Sequence, residues 1–158
     1  MDQQNEKRIN LDDQPGHCIR RLQQIAVAIF LQETQAYGIT PVQYAALQTI
    51  ANSPSVDQRT LARAVGLDTS TIAGVVERLE MRGLLLRKPS PNDKRTRQLS
   101  LTKTGHQLLA QALPSIFRAQ TLMLEPLSAT DREEFTRLLQ TLVIRNNSLS
   151  RAPARADD

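Results

Sequence analysis

The sequence predicts a mainly α-helical protein that carries one small β-hairpin. Apolar residues recur at helical spacing along most of the 158 residues, and Gly66 separates two short helical segments by a tight turn. Two short apolar segments, about 84–88 and 98–101, flank a polar loop rich in turn-forming residues. A hydrophobic content of 40% is enough for one domain with a core. Together these features predict a winged helix-turn-helix core with additional terminal helices.

Side chains that cap helices mark the elements of the predicted core, about residues 41–101. Thr40-Pro41-Val42-Gln43 has the pattern of a capping box with proline at the first helical position. Asp57 is placed to cap a short helix that runs through Val65. Asp68 is placed to cap the next helix, predicted over Thr69 to Arg82.

The segment from Arg78 to Lys103 concentrates positive charge. It contains eight Lys or Arg and two acids, a net charge of +6, whereas the whole chain carries +4. A phosphate-binding surface needs such a concentration, because each neutralised phosphate releases condensed counterions. Aromatic residues make up only 3% of the chain and lie outside this segment, which disfavours recognition of single strands by stacking. The sequence therefore predicts double-stranded DNA as the partner.

Amphipathic helices are predicted on both sides of the core, at about 14–36 and 102–147. Each carries an apolar face that must be buried, and pairing with a second copy would give a DNA-binding protein two-fold symmetry. We therefore expect a homodimer whose terminal helices form a dimerisation bundle. Residues 1–12 and 148–158 are polar or rich in Ala, Pro and charge, and we expect flexible tails there.

Composition disfavours several other functions. The single cysteine and two histidines offer no cluster for a structural metal, and no nucleophile with a base or glycine-rich phosphate loop is recognisable. No apolar segment reaches the roughly 20 residues that a membrane span needs, and the first dozen residues do not resemble a signal peptide. We expect a cytoplasmic protein without catalytic activity, metal or cofactor.

The sequence resembles the multiple antibiotic resistance regulator (MarR) family. The resemblance is specific across residues 57–105, and the flanking helices agree with the family in length and order. The motifs that carry it are Arg59-Thr-Leu-Ala62, Val65-Gly-Leu-Asp68, Ser70-Thr-Ile72, Val76-Glu-Arg-Leu-Glu80, Gly83-Leu84, Asp93-Lys-Arg95 and Leu99-Ser-Leu-Thr102 followed by Gly105. The resemblance implies a homodimeric winged helix-turn-helix regulator, usually a repressor, whose DNA affinity is lowered by a small aromatic acid or by thiol oxidation.

Two further segments are similar to one branch of the family. Pro15-Gly-His-Cys-Ile-Arg-Arg21-Leu-Gln-Gln and Pro41-Val-Gln-Tyr44 resemble regulators of aromatic or N-heteroaromatic acid catabolism. The resemblance thus implies a small aromatic or heteroaromatic carboxylate as effector.

The resemblance also implies roles for single residues. The recognition helix of the family corresponds to 69–82, where Thr69, Ser70, Thr71 and Arg78 are expected to face the major groove and the phosphates. In the wing, Asp93 is expected to orient Arg95 into the minor groove. The remaining predicted contacts with the DNA are Lys88, Lys94 and Arg97, the last two of them with the backbone. Arg82 and Arg87 are left open between DNA contact and a solvated face.

The effector site is predicted beside the first helix. His17 and Arg21 lie one helical turn apart next to an apolar stripe, an arrangement that suits an aromatic carboxylate, and an ordinary surface pair is the alternative. Tyr44 is a candidate for the same cavity or for the core. Cys18 is either a redox-sensing thiol or a small buried hydrophobic residue on the stripe.

Three functions follow from these patterns. The first is a repressor released by an aromatic acid from an inverted-repeat operator. The second is a repressor switched by oxidation of Cys18. The third is a winged helix used for protein interaction or DNA compaction.

Overall fold

The computed structural model describes residues 8–150 and confirms a mainly helical fold with a small sheet. The predicted tails at 1–12 and 148–158 fall largely outside this range. Within residues 8–150 the helices are α1 Pro15–Glu33, α2 Pro41–Asn52, α3 Gln58–Ala64, α4 Thr69–Met81, α5 Lys103–Leu124 and α6 Ala129–Arg145, the strands are β1 Val56–Asp57, β2 Leu85–Pro89 and β3 Arg97–Leu101, and short 3-10 turns occupy Leu11–Asp13, Gln35–Tyr37 and Asn147–Leu149.

Capping side chains begin the helices where the sequence places them. At α2 the Thr40 side chain accepts from the Gln43 amide at 3.2 Å, and the Gln43 side chain accepts from the Thr40 amide at 3.1 Å. These bonds use amide groups that the first helical turn would otherwise leave unpaired. The same device, with one side-chain acceptor, begins four further helices: Asp57 caps α3, Asp68 caps α4, Thr102 caps α5 and Ser128 caps α6.

The sheet has one strand more than the sequence predicts. Its order is β1-β3-β2 with both pairings antiparallel. The hairpin pairs Leu85 with Leu101 at its base and Pro89 with Arg97 near its tip. On the other side of β3, the two-residue strand β1 pairs Val56 with Leu99. This extra pairing fixes the start of α3 to the wing.

One hydrophobic core holds α2, α3, α4, the sheet and the first half of α5 together. The largest fully buried side chains of this core include Leu47, Ile50, Leu61, Ile72, Leu79, Leu85, Leu99 and Ile116. The α4 contribution comes from one helical face, which leaves the opposite face in solvent. The core therefore presents α4 and the wing on the surface of one rigid lobe.

The terminal helices pack incompletely within a single chain. Helices α1 and α5 pack together, and Arg118 of α5 pairs with Glu33 of α1 at 3.0 Å. In contrast, no residue of α6 is buried, and the apolar side chains of Leu142, Val143 and Ile144 are 53%, 70% and 72% exposed. Among the helices of residues 8–150, none combines the length and apolarity that a membrane crossing requires.

Candidate nucleic-acid interface

The first turn of α4 presents its polar side chains to solvent. Asp68 accepts from the Thr71 amide at 2.7 Å, and this bond is the main cause that lowers the pKa of its carboxyl group. The Thr71 hydroxyl donates to the second Asp68 oxygen at 2.8 Å, so it can offer a DNA group only an acceptor. Thr69, Ser70 and Arg78 are exposed on the same helix. The residues that the sequence predicts for the recognition helix therefore share one accessible surface.

The wing is a tight, internally bonded tip. The Ser90 amide donates to the Thr96 carbonyl at 2.8 Å, and the Thr96 amide donates to the Asp93 carbonyl at 3.0 Å. One carboxylate oxygen of Asp93 accepts from the backbone amide of Arg95 at 2.9 Å, and the other accepts from the Thr96 hydroxyl at 3.2 Å. Asp93 thus contacts Arg95 at the backbone amide of that residue.

The basic side chains of the wing are exposed. Its two strands carry Lys88 and Arg97, and the loop between them carries Lys94 and Arg95. A cation on an exposed hairpin can approach phosphate or a minor groove without the cost of first leaving a buried partner. The structure thus places every predicted basic wing residue where DNA can reach it.

Two other arginines of the basic segment serve the fold. Arg87 of β2 donates from Nε to Glu80 of α4 at 2.8 Å, and this contact lowers the pKa of the Glu80 carboxyl group. Arg82, just after α4, donates to the carbonyl oxygens of Tyr37 and Gly38 at 3.0 and 2.8 Å. The first contact braces the wing against α4, and the second ties the end of α4 to the linker between α1 and α2.

The predicted effector residues divide into two places. His17 Nε2 and Arg21 Nη1 lie 3.9 and 3.6 Å from the same oxygen of Asp12, an acid that the sequence reasoning did not single out. Asp12 and Arg21 line an apolar cavity of about 590 Å³ between α1 and α6. Tyr44 lies elsewhere, packed against the core of the DNA-binding lobe with its ring centroid 6.0 Å from that of Phe30. Tyr44 therefore follows the core alternative in this structure.

Cys18 is exposed, which contradicts the interpretation of a small buried hydrophobic residue. Its Sγ lies 3.2 Å from the backbone oxygen of Asp12 and lines the same cavity as Arg21. Cys18 does lie beside apolar residues of α1, but the first turn of this helix faces a groove between α1 and α6 that is open in a single chain. Among the described residues, no three His, Cys, Asp or Glu side chains gather as a metal site would require.

A second cavity has a volume of about 290 Å³. It is bounded by α1, the start of α2, α5 and α6, and its walls include Phe30, Pro41 and Met123. Gln23 and Gln120 are its polar lining residues. This cavity offers apolar surface with neutral hydrogen-bonding groups, whereas the larger cavity has charged groups at its edge.

Comparison with known proteins agrees with this geometry. Residues 39–96 match the model of the MarR family. The chain is 31% identical to the HTH-type transcriptional repressor NicR of Pseudomonas putida over 85% of each protein. It is 33% identical to the transcriptional regulator HosA of Escherichia coli over 80% of this chain and 93% of that protein.

Solved structures match the fold over most of the chain. The PcaV transcriptional regulator of Streptomyces coelicolor, in complex with its natural ligand, has a TM-score of 0.78 and 36% identity, covering 86% of this chain and 96% of PcaV. BpsR of Bordetella bronchiseptica, whose DNA binding is regulated by 6-hydroxynicotinic acid, has a TM-score of 0.81 and 27% identity, covering 85% and 96%. The repressor CouR, bound to a 23-mer DNA duplex, has a TM-score of 0.80 and 28% identity, covering 84% and 94%. The exposed recognition helix, the basic wing and these similarities together establish that this chain belongs to the MarR family of transcriptional regulators.

Proposed function

We propose that this regulator is a homodimeric repressor that binds an inverted-repeat DNA operator and is released by a small aromatic or heteroaromatic carboxylate. The observation that carries the proposal is the joint exposure of the α4 first turn and the basic wing on one lobe. In this arrangement α4 can enter a major groove while the wing lies over the neighbouring minor groove.

The apolar face of α6 supports the homodimer. It forms a groove with α1, in which Ile19, Leu22, Leu138 and Leu142 leave a large apolar surface in a single chain. Contiguous apolar surface of this kind marks an interaction site in soluble proteins. A second copy offers the same surface, and an isologous contact of the two would place two α4 helices in a symmetric pair.

The surroundings of Arg21 support the effector. Its guanidinium group lies at the edge of the cavity of about 590 Å³, and its neighbour Asp12 is 71% exposed. The carboxylate of a ligand could replace Asp12 beside Arg21, while its ring enters the apolar part of the cavity. PcaV and BpsR, which are similar to this chain, are described with a natural ligand and with 6-hydroxynicotinic acid. A small aromatic or heteroaromatic acid is therefore the ligand class that we propose.

Substitution of Arg21 tests the effector site. A panel of benzoates, hydroxybenzoates and nicotinates is titrated against the protein bound to a duplex that the protein itself has selected from a random pool. Wild type should release the duplex with one class of acid, and Arg21→Ala should bind the duplex normally but fail to release it. Coupling between ligand and DNA of about 1 to 3 kcal/mol corresponds to a change of five- to 150-fold in affinity.

Arg20→Ala is the matched control, because Arg20 is an exposed arginine of the same helical turn. It should respond to the acid as wild type does. Release of DNA from Arg21→Ala at the wild-type acid concentration would show that the carboxylate binds elsewhere.

The exposure of Cys18 favours a second candidate, a repressor switched by oxidation. An accessible thiol that lines the same cavity as Arg21 can be oxidised, whereas a buried one is inert. DNA release by peroxide in wild type but not in Cys18→Ser would support this alternative. Equal release in both proteins would remove it.

A further inference from the structure

A polar depression of about 440 Å³ lies between α3, the start of α4 and the wing. Its walls are formed by three segments that are distant in sequence: 57–59 at the start of α3, Thr69 at the start of α4, and 95–97 in the wing. The sequence places only the last two in the DNA interface. The structure adds the first one.

The register of the sheet explains why these segments meet. Asp57 of β1 pairs with Gln98 of β3, and the two strands run antiparallel. Arg59 follows Asp57 by two residues and Arg97 precedes Gln98 by one, so both leave the same end of this ladder. The two arginines therefore meet at one end of the sheet, where both line the depression.

The charge of the depression suits an anion. Arg59, Arg95 and Arg97 are exposed cations on its lining. The one acid there, Asp57, keeps its charge, and its oxygens accept from the Thr60 amide at 2.9 Å and from the Thr60 hydroxyl at 2.7 Å. Three arginines and one carboxylate give the lining a net charge of +2. Thr69 belongs to the first turn of α4, where the helix dipole adds positive potential. An anion that entered the depression would therefore meet a positive surface.

The position of the depression identifies the anion. In duplex DNA a single sugar-phosphate strand separates a major groove from the adjacent minor groove. If α4 occupies the major groove and the wing the minor groove, this strand must pass between them, through the depression. We propose that Arg59 and Arg97 hold a phosphodiester of this strand from its two sides, an inference that rests on the proposed DNA-binding function. Arg59 then anchors the lobe without contributing to the choice of bases.

The salt dependence of DNA affinity tests the contact. Binding is measured by fluorescence anisotropy over a range of KCl concentrations, with the selected duplex and with a duplex of random sequence. Loss of a whole phosphate contact reduces the magnitude of the slope of log K against log[salt] by about 0.9, and by about 1.8 for a dimer altered in both copies, so loss of one of the two arginines on that phosphate should reduce it by up to about 1.8. We expect this decrease for Arg59→Ala on both duplexes and little change for Arg59→Lys, which keeps the charge.

Arg63→Ala is the matched control, because Arg63 lies in the same helix but away from the depression. It should keep the wild-type slope. Arg59→Gln provides a second neutral variant should Arg59→Ala unfold, which the circular dichroism spectrum would reveal. A wild-type slope in the neutral Arg59 variants, or an equal decrease in Arg63→Ala, would overturn the inference.

Neutral methylphosphonate linkages, introduced singly along the selected duplex, locate the phosphate. One linkage on the strand between the two grooves should weaken wild type more than Arg59→Ala, in which only Arg97 still contacts that phosphate. If inorganic phosphate bound the free protein but every linkage weakened both proteins equally, the depression would be a site for free phosphate and the inference would fail. Selective binding of wild type to the selected duplex reports on the proposed function separately, so failure of the phosphate contact alone is distinguished from failure of DNA binding.

Discussion

At the scale of single residues, Gly105 is required by a close approach rather than by an unusual backbone angle. It lies in the first turn of α5, where that helix crosses the start of β2. A Cβ atom at this position would fall well inside van der Waals contact of the Leu84 carbonyl oxygen. Thr102 fixes the crossing, because its amide donates to the same carbonyl at 3.1 Å and its hydroxyl donates to Gly83 at 2.6 Å.

We expect Gly105→Ala to destabilise the protein by about 1 to 3 kcal/mol or more, because the backbone of two bonded elements must move apart. Thermal unfolding followed by circular dichroism measures the loss. Gly16→Ala is the control. Gly16 also lies in the first turn of a helix, α1, but a Cβ atom there would meet open space. The crossing would be looser than described if both variants unfolded at the same temperature.

The roles of single arginines are the part of the site that sequence could not predict. Arg82, Arg87, Arg95 and Arg97 belong to one basic segment, and all four are exposed. The four arginines differ in their hydrogen-bond partners: Glu80 accepts from Arg87, and the Gly38 carbonyl accepts from Arg82. These contacts form only in the folded chain and leave no pattern in the sequence. The concentration of charge therefore predicted a basic surface, but it did not predict which of its arginines bind other parts of the protein.

At the scale of elements, local chemistry made most boundaries predictable. The predicted helix over 69–82 is observed as Thr69–Met81, and the helix predicted to begin at Pro41 is observed as Pro41–Asn52, because Asp68 and Thr40 cap them as expected. β1 was not predicted. It has two residues, and its partner Leu99 lies more than forty positions away in the chain. Such a pairing leaves no local periodicity, and the position of Arg59 beside the wing was hidden with it.

The brace between α4 and β2 should make stability depend on pH. Arg87 lowers the pKa of Glu80 below its ordinary value of 4.5. The brace therefore stabilises the fold above that pH, and its contribution is lost as the pH falls through the lowered pKa. Glu80→Gln should be less stable than wild type near neutral pH, by up to about 1 kcal/mol for a partly exposed pair.

Urea unfolding at a series of pH values measures this effect. The difference between wild type and Glu80→Gln should shrink as the pH falls below the ordinary pKa of 4.5 and through the lowered pKa of Glu80. Glu133→Gln is the control, because Glu133 is an exposed glutamate of α6, away from the brace. A difference that is constant with pH would mean that the brace does not involve the charged carboxylate.

The hydrogen bonds from Arg82 to the linker between α1 and α2 predict a different effect on DNA binding. Arg82→Ala removes two hydrogen bonds to backbone carbonyls, so we expect a loss of stability of about 1 to 3 kcal/mol. DNA affinity should fall because α4 loses its position, but the slope of log K against log[salt] should stay at the wild-type value. Lys94→Ala should instead reduce the magnitude of the slope and have little effect on stability. A lowered slope in Arg82→Ala would instead make Arg82 a phosphate contact.

At the scale of the whole molecule, the exposed apolar surface of α6 is the basis of the proposed homodimer. Leu142 is 53% exposed and lines the groove that α6 forms with α1. The sequence predicted this face from its spacing, but one chain cannot show how the helices of two copies interlock. The cavity proposed for the effector is lined by the same two helices, α1 and α6, and opens onto this groove. Asp12 was missed because it precedes α1 and belongs to no helical pattern.

A charge in the α6 groove should prevent association. Wild type should sediment near twice the 17.7 kDa of one chain, and Leu142→Asp should sediment as a folded monomer, because the exposed side chain contributes little to the fold of the single chain. Gln140→Asp adds the same charge to an exposed position of α6 outside the groove and should remain a dimer. A monomeric wild type at micromolar concentration would contradict the proposed bundle.

The central proposal is that two copies of the chain bind DNA symmetrically through α4 and the wing. Selection of duplexes from a random pool, followed by sedimentation of the selected complex, tests this symmetric binding directly. We predict enrichment of an inverted repeat whose half-sites lie about 10 base pairs apart centre to centre, bound by two chains, and strongly weakened binding by Arg95→Ala with an unchanged fold. A pool without enrichment, a single half-site bound by one chain, or wild-type affinity in Arg95→Ala would contradict it.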